Sequence, residues 1–185
     1  MSVKVSFNLD DADLEHLAAI AQQTQARARS EPADAIMAGA REVLETASRA
    51  QLAGFVKERY SRLETMLQMV EDSQWRLSAE DRQRTLNALA CFGSSTAAAA
   101  PSGLLDHAIM IELVSRDLHH DLEAYRDFRR FRESSDKKHP TPGADRERWL
   151  AERCASLQER MHKRRRRDLD GAGSGLRKLL SLFGL

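Results

Sequence analysis

Residues 104–114 read Leu-Leu-Asp-His-Ala-Ile-Met-Ile-Glu-Leu-Val. Apolar side chains cover nearly the whole circumference of such a segment, so it predicts a helix enclosed by other helices. Beyond Arg116 the pattern narrows to Leu118, Leu122, Tyr125 and Phe128, the stripe of an amphipathic helix. Together they predict one continuous central helix over 104–131. Upstream, Leu52, Val56, Tyr60, Leu63, Leu67 and Val70 recur at helical spacing, and Phe55, Met66 and Met69 widen the same face, predicting a core helix over 52–71. Ser78-Ala79-Glu80-Asp81 is a capping-box pattern with Asp in place of Glu. It opens a helix over 79–92 through Leu86, Leu89, Ala90 and Phe92, which the stretch Gly93 to Gly103 ends.

Further out, Pro32 suits a first helical turn and precedes the stripe Ile36, Ala40, Val43, Leu44, Ala47. Asp10 to Asp13 precede a weaker stripe, Leu14, Leu17, Ala18, Ala21. At the start, Val3, Val5 and Phe7 alternate with polar residues at period two, which predicts a short strand with no partner strand in the chain. Toward the other end, the composition of 134–143, with Ser134, Ser135, Pro140, Pro142 and Gly143, reads as a linker. A charged helix over 144–168 follows, whose thin seam of Leu150, Cys154, Leu157 and Met161 is expected to dock weakly or pair with another chain. Residues 169–185 read as a flexible tail, basic and apolar, with a glycine-rich break at 171–175. The expected fold is therefore all-α: a multi-helix bundle over 1–133 with a central helical hairpin at about 79–131, one N-terminal strand, a linker, a charged helix and a tail.

Composition agrees with helices: 185 residues, 42% apolar and 31% charged, with 4 Pro and 9 Gly. The net charge of +1 hides an asymmetry. Residues 160–185 carry eight Lys/Arg against two Asp, which leaves the rest of the chain acidic. Two cysteines, Cys91 and Cys154, are too few for a disulfide framework, and no signal peptide or spanning stretch is read, so the expected location is cytoplasmic, extending to the inner face of a membrane.

The run Leu86-Asn87-Ala88-Leu89-Ala90-Cys91-Phe92, then Gly103 to Val114, Arg116-Asp117-Leu118 and Leu122-Glu123-Ala124-Tyr125-Arg126-Asp127-Phe128 resembles the YkvA-like family, a bacterial domain of unknown function. The resemblance covers about fifty residues and implies an α-helical fold built on a helical hairpin. The family's acidic D-x-I-P-D loop is replaced here by Gly93 to Ser102, and of the following acidic pair only Asp106 survives, with His107 in the second place. One carboxylate is too few for a hard-cation cage, so Asp106 and His107 read as helix capping or a degenerate family site, and no metal is expected at the hairpin loop.

No P-loop, dinucleotide fingerprint, G-x-S-x-G or H-E-x-x-H occurs, so no enzyme class is supported and no cofactor is expected. His119, His120, Asp121 and Glu123 have ligand chemistry, but without a third convergent group they read as a solvated polar face. The cysteines read as packing residues. The leading expectation is a non-catalytic binding or scaffold protein with a protein partner. A nucleic-acid-binding dimer is the second, through a ribbon-helix-helix-like N-terminus or the basic run Lys163, Arg164, Arg165, Arg166, Arg167. The third is attachment to anionic lipid through that run and the apolar terminus. Pairing of Val3, Val5 and Phe7 across a two-fold axis predicts a homodimer.

Overall fold

The computed structural model describes residues 19, 23–24, 26–92, 101–138 and 143–171. Among these residues every regular element is helical, as the bundle reading expects. Val3, Val5 and Phe7, expected to form a strand, residues 172–185, expected to form a tail, and residues 93–100 lie outside the described residues. Residues 26–30 are helical and lead into α1 (Ala33–Arg49), followed by α2 (Gly54–Glu71), α3 (Ala79–Leu89) with a terminal 3-10 turn at Ala90–Phe92, α4 (Pro101–Asp117), α5 (His119–Lys138) and α6 (Ala144–Gly171).

Pro32 caps α1: it has no N–H to orphan, and its carbonyl accepts from Ala35 N (3.0 Å) and Ile36 N (3.2 Å). The stripe behind it, Ile36, Ala40, Val43 and Ala47 with Met37, is buried against α2 and α3. Helix α2 buries Val56, Tyr60, Leu63, Met66, Leu67 and Met69. Phe55 departs from the expected face: it sits in the first turn of α2 and is exposed. Tyr60 fastens α2 to the start of α4 by donating from its hydroxyl to Leu104 O (2.9 Å), and burial pushes its pKa up to about 12. At the start of α3, Ser78 Oγ accepts from Asp81 N (3.0 Å), half of the expected capping box. The other half differs, because the Asp81 carboxylate accepts from the Ser78 hydroxyl (2.7 Å) and reaches across to α6.

Two cores result. The first joins α1, α2, α3, the 3-10 turn and α4, with Leu63, Met66, Leu89, Phe92 and Ile111 fully enclosed. The second lies between α5, α6 and the turn after α2, and contains Met69, Trp75, Tyr125, Phe128, Leu150, Cys154, Leu157 and Met161.

Two expectations are corrected. The central helix is two helices, parted at the buried Leu118. Main-chain bonds still run from Leu118 N to Val114 O (3.2 Å) and Leu122 N to Leu118 O (2.9 Å), but the His119 ring donates Nδ1–H to Arg116 O (2.8 Å) and competes with the helix ladder there. Residues 134–138 of the expected linker are helical, since α5 continues through Lys138; Ser135 is buried and Asp136 pairs with Arg146 of α6, contacts that composition does not reveal. The thin seam of α6 docks within its own chain, in the second core, which is the first of the two outcomes expected of it.

Candidate functional site

Helix α6 carries the basic run, and its burial pattern sorts that run into two groups. Leu157 and Met161 point into the second core. At 3.6 residues per turn, Arg160, Lys163, Arg166 and Arg167 fall within about 120° of arc on the opposite side, and all four are exposed. Cys154 and Gln158 hold the near end of α6 to the turn after α2: the Cys154 thiol donates to Trp75 O (2.9 Å), and Gln158 Nε2 donates to the same carbonyl (2.6 Å). Arg76, next in that turn, adopts a positive φ of 50°, a conformation that costs a non-glycine residue energy and that the packing must hold.

The remaining members of the basic run pair within the chain, Arg165 inward and Arg164 at the surface. Arg165 donates to Asp81 Oδ1 (2.6 Å) and lies 3.5 Å from Asp121 Oδ1. His162 Nε2 bonds Asp81 Oδ2 (2.8 Å), and Arg164 pairs at the surface with Glu123 (3.0 Å). On the other side of Asp121, Arg84 of α3 pairs with Asp117 and stands 3.8 Å from Asp121 Oδ1. The result is a set of charges tying α3, the α4–α5 junction and α6 together, in which Asp81 and Asp121 are buried and Arg84, Asp117 and Arg165 are partly exposed. Asp121 is 0% exposed, and the nearest guanidinium nitrogens, of Arg165 and Arg84, stand 3.5 Å and 3.8 Å from its Oδ1. Burial therefore raises its pKa to about 6, against the lowering influence of Arg84 and with Asp81 adding to the rise.

These contacts revise the site residues read from sequence. Of Lys163, Arg164, Arg165, Arg166 and Arg167, only Lys163, Arg166 and Arg167 face outward without an ion pair among the described residues, whereas Arg164 and Arg165 are engaged inside the chain. Helix α4 begins at Pro101, so Asp106 and His107 lie in its second turn and not in the first, where the unpaired N–H groups are. His107 is buried, with its ring edge-on to Phe92 at 6.0 Å between centroids. His119 and Glu123 are exposed as expected for a polar face, but Asp121 is not part of it.

Reading the sequence missed Asp81 as an interhelical anchor, Arg84, and Asp168, which α6 delivers to the first turn of α5. His120 Nε2 lies 2.9 Å from Asp168 Oδ2, and His119 Nε2 3.7 Å from the same oxygen. Their separation of 48 residues leaves no local signal. The cysteines behave as packing groups, with burial pushing the thiols up to about 12 for Cys91 and about 11 for Cys154.

A second surface feature lies at the other end of the α5–α6 pair. Trp149 is 43% exposed and packs on Phe131 at 4.3 Å between centroids, with the Arg153 guanidinium 5.2 Å from the same Phe131 ring. No described helix is long and apolar enough to cross a membrane. The chain matches no protein-family model, no curated protein and no solved structure.

Proposed function

We propose that the chain is a non-catalytic helical binding protein that uses the outer face of α6 to engage the phosphate backbone of a nucleic acid. The observation that carries this reading is the exposed cationic stripe Arg160, Lys163, Arg166 and Arg167, set on a helix whose opposite face is docked in the second core. A docked helix presents charges at fixed spacing, so less conformational entropy is lost on binding than with a free tail. The stripe contains no apolar side chain, which favours a phosphate ligand over insertion into lipid. The inward carboxylates and His162 support the non-catalytic part, because their partners are structural arginines and a helix cap.

The reading predicts weak, sequence-independent binding that falls steeply with salt. With four phosphate contacts, the slope of log affinity against log salt on duplex DNA is about −3.6. Fluorescence polarisation with labelled duplex and single-stranded oligonucleotides, over a salt series and alongside flotation on anionic vesicles, tests it. The triple variant Lys163→Gln, Arg166→Gln, Arg167→Gln is expected to lose more than tenfold in nucleic-acid affinity and to flatten the slope by nearly three. Absence of binding at low salt, an unchanged slope in the variant, or binding to vesicles alone overturns the reading.

A further inference from the structure

We propose that His119, His120 and Asp168 form a site for one divalent transition-metal ion of the zinc class, bridging the first turn of α5 and the last turns of α6. One donor atom from each of the three residues lies within 4.8 Å of the others. Tetrahedral zinc with bonds of about 2.0–2.1 Å sets its ligands about 3.3 Å apart. The measured separations of 2.9 Å and 3.7 Å from Asp168 Oδ2 to the two Nε2 atoms bracket that value.

Ring orientation supplies a second, independent observation. A carbonyl oxygen only accepts, so the contact between His119 Nδ1 and Arg116 O at 2.8 Å places the proton on Nδ1. Nε2, the nitrogen left without that proton, is the one turned toward the Asp168 carboxylate, where a cation could bond both. A backbone carbonyl fixing the far nitrogen is also the usual outer partner of a metal-bound histidine. His120 turns Nε2 to Asp168, while its Nδ1 is buried and has no such outer partner among the described residues.

Adjacent histidines in a helix normally diverge by about 100°. Here the two rings nevertheless stand 3.7 Å apart between centroids, tilted by 41°. The third ligand is positioned by unrelated contacts, since Arg165 and Met161 fix α6 within two turns of Asp168. Two imidazoles and one carboxylate suit zinc, cobalt, nickel or copper rather than calcium or magnesium. The half-exposed His119 and exposed Asp168 leave room for water as a fourth ligand.

The test uses the untagged full chain, stripped with chelator and titrated with zinc at pH 7.5 by calorimetry, with cobalt absorption as a second readout. One ion per chain is expected, with cobalt giving the visible bands of a four-coordinate site. His119→Ala and Asp168→Asn are each expected to weaken zinc binding at least tenfold. Both side chains are at the surface, and circular dichroism checks that the helices persist. Glu123→Gln, which removes a neighbouring carboxylate engaged with Arg164, is expected to leave zinc binding unchanged. Failure of the parent to bind zinc, or binding that survives unchanged in the His119→Ala, Asp168→Asn double variant, overturns the proposal. Neither result bears on the cationic stripe, whose test reads nucleic-acid affinity in the presence of chelator.

Discussion

Between α1 and α4 the enclosed side chains are mainly aliphatic, Ile36, Val43, Leu63, Leu89 and Ile111 among them, and they recur at helical spacing within each element. Beneath α6 the enclosed set centres on Trp75, Tyr125 and Phe128, with ring centroids 5.6 Å and 5.3 Å from Trp75. Asp81, Arg84, Asp121 and Arg165 flank that set with charge, buried at Asp81 and Asp121. The difference is one of mechanism. Aliphatic packing is non-directional and tolerates small shifts, whereas a buried ion pair gains only in a narrow geometry and leaves an expensive charge behind when one partner goes. The second region therefore fixes the rotation of α6 about its axis, and with it which basic side chains face out, in a way that a seam of four apolar residues would not.

Truncation at the centre of each core is the most forceful way to break the comparison. Trp75→Ala is expected to cost about 3–5 kcal/mol and to release α6 selectively, seen as new proteolytic cleavage within 150–167 before global unfolding. Ile111→Ala is expected to cost about 2–5 kcal/mol without that selective cleavage, because its loss weakens the whole bundle. Urea denaturation followed by both circular dichroism and limited proteolysis separates the two.

Arg165→Ala asks whether the charges hold α6 in place. It strips the pairing from Asp81 Oδ1 and the nearest α6 cation from Asp121, and about 3 kcal/mol of destabilisation is expected at pH 7. The same experiment on Arg164→Ala is the contrast: its pair with Glu123 is at the surface and is expected to contribute less than about 1 kcal/mol.

Asp121→Asn sharpens the comparison through pH. Burial pushes the Asp121 carboxyl up to about 6, above the ordinary aspartate value, so the folded state holds the proton more tightly than the unfolded chain. Stability from this group is therefore gained as pH falls through about 6 and is complete below the unfolded pKa. Relative to the Asn variant, the parent is expected to gain stability between pH 7 and pH 4. Parallel denaturation midpoints for the two proteins across that range would remove Asp121 from the account.

The same contrast explains what could be read in the sequence. Leu63 and Ile111 sit in regular stripes, and periodicity placed both in the core, where both are fully buried. Ser78 and Asp81 announced the start of α3 because capping is local. Trp75 gave no such signal: it occupies a turn, outside any stripe, and its burial depends on α5 and α6. Asp121 looked like one more polar residue beside His119 and His120, since nothing within a few residues marks it as enclosed by Arg84 and Arg165. The split at Leu118 was equally illegible, because hydrophobic spacing continues across it while a side-chain bond from His119 disturbs the backbone. Periodic, local interactions were legible; the contacts that position the cationic stripe and Asp168 join residues tens of positions apart.

The central claim is that α6 is an integral, rotationally fixed part of the fold. Hydrogen exchange of the backbone amides in 150–165, measured by mass spectrometry on the full chain at neutral pH, tests it most directly. Protection comparable to that of the α5 amides over 120–130 is the predicted result. Exchange of 150–165 at the rate of an unstructured peptide, while α2 and α4 stay protected, would contradict it.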